Sequence, residues 1–141
     1  MISDQPAEKP SVADDGVVEV HTSIDSAQLA VLRNVAATLT MDAGFTVDSV
    51  EDARLLVDEV CSTLIRNAER GAQLSCRFRA DDRFYLHAQA TASPDAVVDR
   101  SSWSWRIMST LADTLISWTN ANPGQPTTLH IEATKASDGC P

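Results

Sequence analysis

Apolar and polar residues change their spacing several times along the chain, and each change marks an element. Val17 to Thr22 alternates, with Val18 and Val20 on one side and Glu19 and His21 on the other, the pattern of a half-buried strand. From Ser26, a candidate N-cap, the spacing becomes helical: Leu29, Leu32, Val35, Ala36 and Leu39 form one face, and Gly44 ends or follows it. Asp48, with Glu51 three residues on, reads as the capping box of a second, longer helix. Its apolar stripe is Val50, Ala53, Val57, Val60, Leu64 and Ala68, and Gly71 stands where a C-terminal breaker belongs. Leu74, Cys76 and Phe78, then Phe84, Leu86, Ala88 and Ala90, alternate with polar residues on either side of Ala80-Asp81-Asp82, which predicts an antiparallel hairpin. Ser102 caps a third helix to about Ala112, with Trp105, Met108, Leu111 and Ala112 on one face. Strands over about 114–119 and 127–134 complete the order βααββαββ, the second with Leu129, Ile131 and Ala133 facing in. Helices and strands cluster rather than alternate. The expected fold is therefore an α/β two-layer sandwich, a mixed, mostly antiparallel sheet covered on one face by about three helices.

Composition narrows this further. The 141 residues suit one domain, and only 5% are aromatic, so the core rests on aliphatic side chains. Residues 1–15 hold Asp4, Glu8, Asp14 and Asp15 against Lys9, with two prolines, and read as a disordered acidic tail. The expected domain covers 16–135, and 136–141 reads as a flexible C-terminal tail. Twenty acidic residues against eleven basic ones give a net charge of −9. That balance argues against direct nucleic-acid binding and against an anionic membrane, and for a partner with a basic patch. No apolar run approaches a membrane span and no signal peptide is evident, so a cytoplasmic location is expected. The three cysteines, Cys61, Cys76 and Cys140, form no metal pattern. The first two read as core residues and the third as a reactive tail thiol. His21, His87 and His130 read as outward-facing strand positions rather than a metal triad.

The chemistry, if any, lies on the long helix. Glu59, Thr63 and Asn67 recur every four residues and share one face, flanked by Asp58 and Arg66. Such a line is either a solvated face or a ligand site in which Glu59 acts as general base. The segment from Leu55 to Ala68, LLVDEVCSTLIRNA, resembles the N-box helix of the GHKL ATPase superfamily. It is most similar to anti-sigma-factor serine kinases of the RsbW and SpoIIAB type, in their actinobacterial branch. The likeness extends over about Val17 to Lys135. It takes in the first strand, Leu32-Arg33, and Ile107 to Asp113, which resembles the family's Met-x-x-Leu-x-Asp helix end.

The resemblance implies a GHKL, or Bergerat-like, fold with Glu59 at the position of the activating Glu. Thr63 stands where the family has its Mg²⁺-binding Asn. The glycine-rich segments that admit ATP are replaced by Ala90 to Ala96 and by Ser101-Ser102-Trp103-Ser104-Trp105. Thr63, Ser102 and Ser104 are thus the residues left to a degenerate ATP/Mg²⁺ site, and Trp103 and Trp105 are expected to fill it. The resemblance also implies a homodimer that sequesters an RNA polymerase sigma factor and is released by an anti-anti-sigma protein of STAS type. Arg33 matches a partner-contacting position. From Asp42 to Glu59 six carboxylates stand against Arg54 alone, a net of −5, so Asp48, Glu51 and Asp52 are further partner-binding candidates for a basic sigma surface. Two alternatives stand beside the anti-sigma reading: an active ATP-dependent serine kinase acting on the anti-anti-sigma protein, and a GHKL-like regulator of another partner.

Overall fold

The computed structural model describes residues 16–138. The expected tail over residues 1–15, and Cys140, lie outside the described residues. The order is β1 (Val18–Ser23), α1 (Leu29–Asp42), α2 (Val47–Asn67), β2 (Gln73–Ala80), β3 (Arg83–Thr91), α3 (Trp103–Leu111), β4 (Thr114–Asn120) and β5 (Thr128–Ala136). The sheet order is β1-β2-β3-β5-β4, and the four pairings are antiparallel. The expected hairpin is present, with Phe78 opposite Leu86 and Cys76 opposite Ala88. The three helices lie on one face, so the expected two-layer α/β architecture is the one observed.

The core follows from strand alternation. Leu74, Cys76 and Phe78 on β2, Phe84, Leu86 and Ala88 on β3, and Ile131 and Ala133 on β5 are fully buried toward the helices. They meet Leu32 and Ala36 of α1, Leu56, Val57, Val60, Cys61 and Leu64 of α2, and Met108 of α3. Burying a side chain of this size contributes roughly 1.5–3 kcal/mol. β5 continues to Ala136, and Asp138 N–H donates to Ser49 Oγ (3.2 Å), so the chain stays fastened to α2 beyond Lys135.

Helix ends differ from expectation in instructive ways. α2 is capped by Thr46, whose side chain accepts from Ser49 N–H at 3.1 Å; Asp48 is in the first turn and Glu51 is too far along to close a capping box. Phe45 and Val50, the residues before the cap and at the fourth helical position, are both buried. That pairing sets the start at Thr46, since starting at Asp48 would place exposed Val47 in the apolar slot. Ser26 is likewise not a cap. Asp25 takes that role, accepting from Ala27 N–H (3.0 Å), and a 3-10 turn over Ser26–Gln28 leads into α1. Gly44 ends α1 as expected. Its φ of 85° lets its own N–H reach Met41 O and that of Phe45 reach Thr40 O, a Schellman closure. Gly71 does not end α2: the helix stops at Asn67, and Ala68 turns extended to bridge Ala92.

Candidate functional site

The C-terminal half of α2, the segment from Ala92 to Ser102 and the start of α3 enclose a cleft of about 230 Å³. Thr63, Asn67, Ser102 and Trp105 are among its lining residues, so the structure brings together two of the three residues assigned to the nucleotide site. Ser104 joins them indirectly. Arg66 Nη2 donates both to Thr63 Oγ1 (3.2 Å) and to Ser104 Oγ (3.0 Å), bridging α2 and α3. Thr63 Oγ1 in turn donates to Glu59 O (2.8 Å). A hydroxyl that spends its proton on the backbone and accepts from a guanidinium is a poor cation ligand, because the adjacent positive charge opposes a metal ion.

Asn67 is committed as well. Its Nδ2 donates to Thr63 O (2.8 Å), its Oδ1 accepts from Val97 N–H (3.1 Å), and its backbone carbonyl accepts from Ser93 N–H (2.8 Å). It thereby closes the last turn of α2 and pins the segment from Ser93 to Val97 against it. Asp99, on the cleft wall, accepts from Ser101 N–H (2.8 Å) and Ser101 Oγ (2.6 Å), and these bonds hold its carboxyl below the usual range. Ser102 caps α3 as expected, accepting from Trp105 N–H (3.1 Å).

The two tryptophans part company. Trp105 borders the cleft, with the Arg100 guanidinium 5.2 Å from its ring centre. Trp103 is 73% exposed and stacks with Arg106 instead, against the expectation that both rings fill the site. Two residues along a helix is a turn of about 200°, so the rings cannot face the same way. Glu59 is half-buried, one turn before Thr63, outside the cleft lining, and makes no ion pair among the described residues. Arg66, Asp99 and Arg100 were not picked out from the sequence as site residues. Only the i, i+3 spacing of Thr63 and Arg66 was available there.

The partner-binding candidates lie on the helical layer. Arg33 reaches from α1 to Asp58 of α2 at 2.6 Å, each about one-third exposed. Asp52 faces Lys135 of β5 (3.5 Å), and Glu51 lies 3.7 Å from Arg54. Asp48 is exposed. On the side of α1 that faces β1, away from the Arg33–Asp58 pair, lies an apolar groove of about 400 Å³ lined by Val18, Val31, Val35 and Leu39.

No family model matches the chain. Two curated sequences do, both the anti-sigma-F factor RsbW of Mycobacterium tuberculosis, from strains CDC 1551 / Oshkosh and ATCC 25618 / H37Rv. Each is 35% identical over 99 residues, which cover 68% of this chain. The chain spans 58% of the length of these relatives. Over the matched residues, the chain is homologous to anti-sigma factors of the RsbW type.

Proposed function

We propose that the protein is an anti-sigma factor that binds and sequesters an RNA polymerase sigma factor, and that a STAS-type anti-anti-sigma protein releases it. The observation that carries this reading is the 35% identity to an anti-sigma-F factor across two thirds of the chain. The surface supports it. The groove between α1 and β1 offers an apolar anchor, and Arg33 and the carboxylates of α2 surround the same layer with charge suited to a basic partner. Homodimerisation and a cytoplasmic location belong to the same proposal.

The cleft favours binding over phosphoryl transfer. At about 230 Å³ it falls below the roughly 300–1,000 Å³ of sites that hold drug-sized ligands. Arg66 bridges its walls, and Asn67 is spent on backbone groups. The kinase alternative retains Glu59, whose carboxylate is in no ion pair among the described residues.

The test takes one preparation through two measurements. Purified protein is titrated calorimetrically with a non-hydrolysable ATP analogue and Mg²⁺, then mixed with each sigma factor of its source organism and resolved by size. A stable complex with one sigma factor and no heat from the nucleotide is the expected result. Tight nucleotide binding would favour the kinase, and the absence of any sigma complex would remove the anti-sigma reading.

A further inference from the structure

On the outer side of the helical layer, α2 and α3 leave a groove of about 220 Å³ between them. Leu55 forms its α2 side. Trp103, Ile107 and Leu111 form its α3 side at i, i+4 and i+8, one stripe along that helix. The stripe is apolar yet open to solvent, with Leu55 50% and Trp103 73% exposed. The groove is smaller than the roughly 300–1,000 Å³ of sites that hold drug-sized ligands. It has room for a few side chains of a partner instead.

The charge around Leu55 has a pattern. Its surface neighbours on α2 at i−7, i−4, i−3, i+3 and i+4 are Asp48, Glu51, Asp52, Asp58 and Glu59, a carboxylate at every position. Asp52, Asp58 and Glu51 meet Lys135, Arg33 and Arg54. Asp48, which is exposed, and Glu59, which is half-buried, make no ion pair among the described residues. Arg106 is the cation in the groove's lining, and its guanidinium is drawn over the Trp103 ring, 5.9 Å from the centre.

We propose that this groove is the docking site for an amphipathic helix of a partner protein, one that carries large apolar anchors with Lys or Arg beside them. An apolar anchor lowered onto Leu55 brings its own neighbours against the ring of carboxylates. Acidic neighbours would meet like charge, and neutral ones would strip water from Asp48 and Glu59 without supplying a counterion. Cationic neighbours complete both. The occupant is a helix for a second reason. The α3 stripe runs eight residues, about 12 Å, and a helix presents apolar side chains at the same spacing along one face. Its backbone groups are already paired. An extended chain would need a sheet edge to pair its own, and α2 and α3 offer none. Exposed Trp103 supplies the kind of rigid, large contact that anchors such interfaces. The groove is separate from the one between α1 and β1. Any partner that carries such a helix fits, so the site holds whether or not a sigma factor is that partner.

The probe is a synthetic helical peptide of leucine and lysine, with leucine at every third or fourth position. It is titrated into the full chain while tryptophan fluorescence and the indole N–H signals are followed, the latter by NMR. Saturable binding is expected, with half-saturation at about 100 µM or below. The Trp103 indole signal should move before that of Trp118, which stands on β4 opposite His130. The same peptide with glutamate in place of lysine should not bind, and one broken by a central proline should bind roughly tenfold more weakly or worse. Leu55→Arg should weaken binding roughly tenfold or more, and Val31→Arg, in the groove between α1 and β1, should leave it unchanged. No saturation by about 1 mM, equal binding of the glutamate or proline peptide, a Trp118 signal that moves first, or equal effects of Leu55→Arg and Val31→Arg overturns the site. Both substituted residues are half exposed, so the variants keep the core intact, and the NMR comparison uses the unmodified protein.

Discussion

At the scale of single residues, two side chains carry consequences out of proportion to their size. Thr46 closes the N-terminus of the longest helix. Thr46→Ala should lower stability by about 1 kcal/mol in urea unfolding. Asp48→Ala should cost less, because Asp48 only sits in the first-turn field and accepts no capping bond. His87 and His130 give stability a pH dependence. Both have pKa values lowered by burial, so the folded state prefers them neutral and the unfolded chain binds more protons in between. Their contribution is complete above the ordinary histidine value of 6.5 and is lost as pH falls through the folded values. Urea midpoints should therefore drop below about pH 6.5, and less so in a His87→Gln, His130→Gln double variant. The sequence marks both histidines as outward-facing strand positions. They do face away from the helices, yet His130 is only 8% exposed, because the rings of Trp118 and His87 cover it. Period-two alternation tells which face a residue takes, not what its neighbours on that face will do.

At the scale of elements, α2 is the organiser. Its stripe of Leu56, Val57, Val60, Cys61 and Leu64 is fully buried against the sheet and the other helices. Leu64→Ala should destabilise by about 2–5 kcal/mol, measured by chemical denaturation, through lost burial and the cavity left behind. Val50, Ala53, Val57, Val60 and Leu64 were legible because they recur at helical spacing over many turns; Leu56 and Cys61 widen that face beyond the expected stripe, and Ala68, expected at its end, lies past the helix and is half-buried. The strands were legible for the matching reason, and Phe78 falls opposite Leu86 as the hairpin required. Caps were less legible: Thr46 and Asp48 are both good capping residues, and only the burial of Phe45 and Val50 decides between them. The cleft was partly legible. Resemblance placed Thr63 near Ser102, but the bridge from Arg66 to Ser104 spans 38 residues, and no local pattern encodes a contact of that range. Trp103 stands about 200° round α3 from Trp105, so helical geometry lets only one of the two rings border the cleft.

At the scale of the whole molecule, the helical layer carries the densest run of carboxylates. Asp42, Asp48 and Glu59 make no ion pair among the described residues, while Asp52, Asp58 and Glu51 meet Lys135, Arg33 and Arg54. The open sheet face carries Arg77 of β2 and Tyr85 of β3, whose hydroxyl donates to Glu132 (2.7 Å) and is pushed up to about 12 by burial and that carboxylate. A basic partner should therefore approach the helical layer. Its association rate should fall steeply as salt rises, with dissociation changing far less, in stopped-flow mixing. An on-rate indifferent to ionic strength would remove the electrostatic part of the proposed function. Arg33→Ala separates stability from binding. A one-third-exposed pair is worth at most about 1 kcal/mol to the fold, so a tenfold or greater loss of sigma affinity would mark Arg33 as a direct contact.

Cys61 of α2 and Cys76 of β2 lie with their sulfurs 3.8 Å apart, both wholly buried. The neighbouring Cys76 sulfur and burial push the Cys61 thiol upward, and with both sulfurs shut away from solvent neither group is reached in the closed molecule. An alkylating reagent can reach them only when α2 lifts from the sheet. The two thiols thus act as a built-in clock for that opening, and their labelling rate at increasing reagent concentration reads how often the layers part in the native protein.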